Sequence, residues 1–502
     1  KTPSIMGMWE VDKREVQFTS RARLLFNFCL MSLCFSVNHG CVTALISAAS
    51  TVESMAFSGV VNGTLYTTYT ISSLLLSNLV LAKLGSKWTI FLGLLFYCGY
   101  SASFLVAHYT KGDTRFSIAV IATAISGVGG GLLWTAQAAF FNSTAKHYVA
   151  ITGTPFEKAT SMMTAIFAVF YLGCEVILKI SLSLPGVLEH KTVLFTVFTA
   201  LSVAGAAGML AVRSVSLPED QVKRAPVLSK VVAAAQIARI EPKIALLAPY
   251  NFTFSFGAAF INQYANSQIL QPKEVGYFAA LLVGSGFFFS SLFGIINERT
   301  SCPKAVPMVL GSLSFLFFAM SFIVASNAEI AADRALLFIM YIVFGLGRGV
   351  WESTMKAVFA DYFGGDSGYD EGQKNAAFSH IPIQNGVMGA TGFYLMAFTA
   401  DPRSFAPGMF ATIAVTGIIS YGAAEGYFQW QKASRRGSSG AHRDSSSEDM
   451  ALLEGAVADG EPTSSAGAGR GFGSADAPSG SSAYDDLGHD ADEFDEDGDA
   501  VA

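Results

Sequence analysis

Arg348, Glu352 and Lys356 stand four residues apart in an otherwise apolar stretch. On a helix that spacing puts all three on one face. Glu175 and Lys179 repeat the spacing in a second apolar stretch. A charge at the centre of a hydrocarbon layer costs at least ~2.5 kcal/mol on insertion scales, so each of these residues needs a physical reason. Arg348 and Glu352 can neutralise each other within a helix, and Lys356 lies close enough to a helix end to snorkel. One reading makes the group a contact for a substrate or ion in a central cavity. The other makes it an ion pair locking one helix to its neighbour. Glu175 divides the same way: a lone buried carboxylate is how proton-coupled carriers build a titratable site, whereas a pair with Lys179 is structural. His39, beside Asn38, is of the residue type that exchanges protons near neutral pH, or it is a hydrogen-bonded packing residue. Gln137, Asn262 and Gln263 are further polar groups within apolar runs.

Enzymatic chemistry finds no footing. There is no nucleophile elbow, metal-ligand cluster or nucleotide loop, so neither a metal nor a cofactor is expected. The Gly-x-Gly runs lie inside apolar stretches without a preceding strand or a following Lys-Ser/Thr, which favours close helix packing over phosphate binding. The six cysteines form no CxxC pair: Cys29, Cys34 and Cys41 share the first apolar run, Cys98 and Cys174 lie in later ones, and Cys302 falls in a short loop. They read as small apolar fillers. Asn62, Asn142 and Asn251 match the glycosylation pattern, but in positions where no glycan is expected.

The elements that position these residues are membrane helices. Of the 502 residues 52% are apolar and only 14% charged, against about 25% charged in soluble domains. Apolar residues collect in runs of about 20, the length that crosses a bilayer. Twelve spans are expected, at 24–48, 58–82, 88–108, 116–141, 159–183, 192–212, 243–266, 275–296, 305–325, 335–360, 376–400 and 405–428. The expected architecture is an all-α membrane protein of two six-helix halves, 24–212 and 243–428. An N-terminal segment 1–23, a basic linker 213–242 and a disordered acidic tail 429–502 complete it. The sequence starts at Lys1, so a few residues are expected to precede it. No cleavable signal is visible, and the first span is expected to serve for targeting. Of the 32 Lys and Arg residues, about 24 fall on the side of the N-terminus, counting both tails. By the positive-inside rule both termini are expected in the cytoplasm, in a plasma or endolysosomal membrane.

The halves echo each other. Gly127, Gly129, Gly131 and Trp134 in the fourth span match Gly345, Gly347, Gly349 and Trp351 in the tenth, with the first glycines 218 residues apart. Parallel six-helix repeats are a build of secondary transporters, whose helices one, four, seven and ten line the path. Asn38, His39, Gln137, Asn262, Gln263, Arg348 and Glu352 all fall on those helices. In the tail, 16 acidic residues face one arginine from Asp444 onward, a composition that cannot form a core. Glu448 with Leu452 and Leu453 has acidic-dileucine sorting spacing, Tyr484 with Leu487 has tyrosine-based sorting spacing, and Ser445–Ser447 precede acidic residues as acid-directed kinase sites do.

Six stretches carry a resemblance: Leu84-Gly-Ser-Lys87-Trp88, Tyr97-Cys-Gly-Tyr100, Gly131-Leu-Leu-Trp134-Thr-Ala-Gln137, Ser143-Thr-Ala-Lys-His-Tyr148, Gly349-Val-Trp351-Glu352 and Asn375-Ala-Ala-Phe378. With these the chain resembles the uncoordinated-ninety-three-like branch of the major facilitator superfamily over residues 24–428. The resemblance implies a twelve-span carrier-like fold. It also implies two functions: transport, or regulation of channels and trafficking of receptors. It carries over no substrate residue, and the loop Lys83–Lys87 lacks the acid that the superfamily usually places after span two. The function expected first is movement of a small solute or ion by alternating access. The alternative is a non-transporting partner of another membrane protein, or of a sorting adaptor engaged through the tail. The bilayer is a partner in either case, and nucleic acid in neither.

Overall fold

The structure is a computed structural model that describes residues 20–188, 190–215, 227–299, 303–363, 369 and 371–457. All regular elements among the described residues are helical. They are α1 (Arg21–Val52), α2 (Met55–Leu75), α3 (Ser77–Tyr109), α4 (Gly112–Thr152), α5 (Phe156–Leu182) and α6 (Lys191–Gly208). The linker holds α7 (Val227–Ile240). There follow α8 (Pro242–Phe260), α9 (Asn266–Ile269), α10 (Pro272–Arg299), α11 (Ala305–Val324), α12 (Asn327–Ala332), α13 (Arg334–Val350), α14 (Lys356–Phe363), α15 (Glu371–Phe398) and α16 (Ala406–Val457). A π turn at Ile261–Ala265 joins α8 to α9, and another at Trp351–Met355 joins α13 to α14.

Ten of these helical stretches are long and apolar enough to cross a membrane. The outward faces agree: Ile177, Val169, Phe288 and Ile419 are large apolar residues left exposed, as lipid contact requires. α2 and α15 are too polar to be among the ten, and they lie against each other. Thr64 Oγ1 stands 3.2 Å from the Tyr394 hydroxyl, and a Cβ on Gly389 would come within 2.9 Å of the Tyr66 ring. Their hydroxyls therefore face a neighbouring helix rather than lipid.

Helix ends follow local chemistry. Ser54 caps α2 by accepting the Phe57 N–H at 3.2 Å, and Ser326 and Glu329 form a reciprocal capping box on α12. Gly85 breaks the chain inside α3, at φ 75° and ψ 171°, a region essentially reserved for glycine. This break falls within the short loop expected at Lys83–Lys87.

Two sequence boundaries shift. The linker is helical over Val227–Ile240, and α7 packs on α15, where the His380 Nε2 lies 2.9 Å from the Ala234 carbonyl oxygen. The last helix does not stop at 428 but runs to Val457, so the segment expected to be disordered begins as helix. Extending an existing helix avoids the cost of a new nucleus, and Gln429 to Arg436 contain no breaker. The described residues up to Ser434 belong to one compact unit and those of 435–457 to another. Tyr484 and Leu487 lie outside the described residues, as does Cys302. Glu448, Leu452 and Leu453 lie on the final helix, with side chains outside the described set.

The glycine repeats occupy matching places. A Cβ on Gly127 or Gly131 would collide with α2, at Thr68 and Ser72, and one on Gly129 would come within 2.6 Å of Phe96 on α3. In the later motif, a Cβ on Gly345 would come within 2.6 Å of the Leu282 carbonyl oxygen on α10, and one on Gly349 within 2.6 Å of that of Gly286. One on Gly347 would come within 2.8 Å of Phe315 on α11. Each motif thus presents its outer glycines to one neighbour and its middle glycine to the next. Trp134 then packs on α1 and Trp351 on α8.

Candidate functional site

The same close approaches position the charges. Gly345 and Gly349 seat α13 on α10. Gly276 seats α10 on the end of α5, where a Cβ would strike the Lys179 carbonyl and approach Ser183 Oγ to 2.6 Å. Small residues here let backbones touch. Across this seam Glu175 of α5 meets Arg348 of α13, 173 residues later in the chain.

The guanidinium grips the carboxylate with two parallel bonds: Nη1 donates to Oε1 at 3.2 Å and Nη2 to Oε2 at 2.9 Å. Its Nε donates to Glu352 Oε1 at 2.8 Å. Lys179 Nζ lies 2.9 Å from Glu175 Oε1. The four residues form one chain, Lys179–Glu175–Arg348–Glu352, whose formal charges sum to zero. Glu175 and Lys179 are sealed, with side chains 2% and 7% exposed, whereas Arg348 and Glu352 keep 12% and 19%. A bidentate Arg–carboxylate pair is among the strongest polar contacts, and losing one partner of a buried pair costs about 3–5 kcal/mol. Lys356 leans away, its ammonium 5.6 Å from the centre of the Trp351 ring.

An aromatic wall adjoins this network. Tyr171, one turn before Glu175, places its hydroxyl 3.2 Å from His39 Nε2. The imidazole stacks between Tyr171 and Tyr97, at 5.3 and 5.9 Å, with the Trp134 edge at 5.3 Å. His39 Nδ1 is buried and has no hydrogen-bond partner among the described residues. On the other side Trp351 stacks on Phe254 at 4.0 Å and donates its Nε1–H to Asn251 Oδ1 at 2.9 Å, and the Asn251 amide donates to Gln384 Oε1 at 2.6 Å.

Of the residues singled out in sequence, Glu175, Arg348 and Glu352 come together, with His39 alongside through Tyr171. The others do not join them. Asn38 is fully buried and donates to the carbonyl oxygens of Leu94 and Ser202, at 3.2 and 2.9 Å, tying α1 to α3 and α6. Gln263 donates to the Met55 carbonyl oxygen and to Ser58 Oγ on α2. The Asn262 amide bonds within its own helix to Ala258, and its carbonyl oxygen accepts from Ser50. Gln137 is buried on α4. An amide in a membrane helix satisfies itself on a nearby free carbonyl, so Asn38, Asn262 and Gln263 pack helices rather than meet the charge network. Sequence reasoning missed Tyr171, Asn251, Gln384 and the pairing of Glu175 with Arg348 across the chain.

Ser50, Gln263 and Ser183, which donates to no distant charge but accepts the Tyr277 N–H at 3.0 Å, lie toward the Val52 end of the bundle. So does Asn266, which donates to the Ser47 carbonyl oxygen at 3.1 Å. At that end these bonds join α1, α2 and α5 to the later helices.

A polytopic helical bundle with a charge network deep in its seam defines a membrane protein of carrier-like fold. Comparison with solved structures agrees. The chain superposes on the crystal structure of the nucleoside transporter NupG with TM-score 0.60 at 12% identity, covering 81% of this chain and 99% of that one. The POT family transporter PepTSo gives 0.59 at 11%, covering 82% and 99%. These are likenesses of fold alone. In sequence, residues 57–262 match the family described as ion channel regulatory protein UNC-93. The chain is also 21% identical over 404 residues to protein unc-93 homolog A of Xenopus laevis, covering 71% of this chain and 82% of the relative. The resemblance read from the sequence stands as a similarity to the UNC-93 family, matched over residues 57–262.

Proposed function

We propose that the protein is a secondary carrier with twelve spans and both termini in the cytoplasm, moving a small organic solute or ion by rocking two six-helix sets about a site near the middle of the membrane. The observation that carries this reading is the Glu175–Arg348 fork. It joins α5 to α13 at the depth where such carriers bind cargo, in a seam flanked by partly open aromatic rings. Rocking would open and close this seam while polar bonds at the Val52 end hold the far side shut. The residues in named roles are Arg348 and Glu175 as the joint between the sets, Glu352 as the carboxylate nearest an opening, and Tyr171 with His39 as the adjoining polar wall. No enzymatic step is involved.

The test uses purified protein in proteoliposomes incubated with a mixed pool of small metabolites, with and without a pH or potassium gradient, the vesicle contents being read by mass spectrometry. Protein-dependent accumulation that disappears in the double variant Glu175→Gln/Arg348→Gln, at unchanged thermal stability, supports the carrier. No protein-dependent accumulation, or accumulation that persists in the double variant, overturns it.

A second reading has its own support. The matching family is described as regulating ion channels, and a network whose charges already satisfy one another suits a rigid scaffold. This reading expects a stable complex with another membrane protein in a tagged pull-down from native membranes. It further expects loss of the complex, or a change of membrane, when residues 437–502 are deleted.

A further inference from the structure

A cavity of about 620 Å³ opens at the Val52 end of the bundle, away from the charge network. That volume lies within the range of small-molecule sites. It straddles the seam: Met55 and Ala56 come from α2, and the remaining lining comes from Tyr264 onward. Its apolar lining includes Met55 and Met396 together with Ala56, Ala397 and Ala400. Its rim carries two opposite charges, Arg403 and Asp401.

Arg403 is fixed before any ligand arrives. Nη1 donates to Asn327 Oδ1 and Nη2 to the Ala325 carbonyl oxygen, both at 2.6 Å, and Asn327 in turn donates to the Tyr264 hydroxyl at 2.9 Å. The guanidinium lies 6.0 Å from the centre of the Phe322 ring. All of these partners are neutral. Among the described residues Arg403 has no carboxylate within ion-pair distance, in contrast to Arg115 and Arg334, which have one each, and Arg348, which has two. Asp401 is exposed, and its carboxylate bonds to no side chain among the described residues. A half-buried guanidinium held by neutral acceptors keeps its charge and its remaining N–H groups for an incoming anion. A free carboxylate two residues away offers the same to a cation.

We propose that this cavity binds a small zwitterion with an apolar side chain, of the α-amino acid type. The carboxylate of the ligand meets Arg403, its ammonium meets Asp401, and its side chain lies on Met55 and Met396. Unbranched thioethers adapt to varied apolar shapes, which suits a class of ligand rather than one member. A ligand seated there touches α2 and the later helices together, so it braces the Val52 end.

The experiment is isothermal titration of the purified full-length protein with three probes of one carbon skeleton: L-leucine, 4-methylpentanoate lacking the ammonium, and 3-methylbutylamine lacking the carboxylate. L-leucine is expected to bind at least about tenfold more tightly than either partial probe. Asp401→Asn, an exposed change that breaks no described side-chain bond, is expected to reduce L-leucine affinity to that of 4-methylpentanoate while leaving the latter unchanged. Ala56→Trp, at an exposed position of the lining, is expected to fill the cavity and abolish binding. The proposal is overturned if L-leucine fails to bind at millimolar concentration, if 4-methylpentanoate binds as well as L-leucine, or if Asp401→Asn leaves L-leucine affinity intact. Binding is read directly, so the result is independent of whether the protein transports anything.

Discussion

Glu175 and Arg348 are not equivalent members of their pair. Glu175 faces two cations, Lys179 and Arg348, while Arg348 faces two carboxylates, Glu175 and Glu352. Replacing Arg348 by Gln leaves Glu175 paired with Lys179 and strips only Glu352, the most exposed of the four. Replacing Glu175 by Gln leaves two buried cations against one carboxylate. Glu175→Gln is therefore expected to cost more stability than Arg348→Gln, approaching the ~3–5 kcal/mol of a broken buried pair. Unfolding midpoints of the purified variants in detergent check the order. The double variant is expected to be more stable than the sum of the two single losses predicts, the signature of direct coupling in a mutant cycle. The sequence showed every charge in this network but only the local partners. Helical spacing links Glu175 to Lys179 and Arg348 to Glu352, whereas the contact between the two pairs depends on how α5, α10 and α13 cross. For the same reason Asn38 and Gln263 looked like cavity residues: sequence gives the helix and the depth, and rotation about the helix axis comes only from packing.

At the scale of elements, helix positions were legible because apolar runs and glycine spacing are local signals. Ends were less so, since capping and extension depend on a few residues each. The glycine motifs yield a test: Gly349→Ala places a methyl against the Gly286 carbonyl oxygen, where backbone cannot give way. A loss of about 1–3 kcal/mol is expected from overpacking, seen as a lower melting temperature. Gly85→Ala meets no neighbour and is strained only by its positive φ, so a similar penalty of about 1–3 kcal/mol would come from backbone conformation alone. A pH effect belongs to α12. The Glu329 carboxylate accepts the Ser326 N–H at 2.7 Å, and this bond, with that to the Ser326 side chain, holds its pKa below the ordinary carboxylate range. A depressed folded-state pKa contributes stability that is present above the unfolded value and is lost as pH falls through the folded one. Hydrogen exchange of the Asn327–Ala332 amides is therefore expected to show less protection of this turn in acid than at neutral pH, beyond the intrinsic pH dependence of exchange. Glu329→Gln is expected to remove the difference.

Across the described residues, polar groups such as Asn38, Glu175 and Gln263 are buried in helix seams, while large apolar residues such as Ile177, Val169, Phe288 and Ile419 are left on the outer faces. The twelve spans proposed above would put both termini on one side of the membrane. Protease digestion of sealed vesicles carrying a tag at each terminus is expected to remove both tags or neither; removal of one alone would break the twelve-span arrangement. The neutrality of the four-residue network has a further consequence at this scale. Moving one elementary charge across a membrane potential of 100 mV changes the energy by about 2.3 kcal/mol. Lys179 with Glu175 on α5 and Arg348 with Glu352 on α13 each sum to zero, so the rocking proposed above would move no net charge of this network and voltage would have little grip on it. Electrical sensitivity, if recorded in patch or vesicle measurements, would report the charge of the proposed cargo or of groups outside this network.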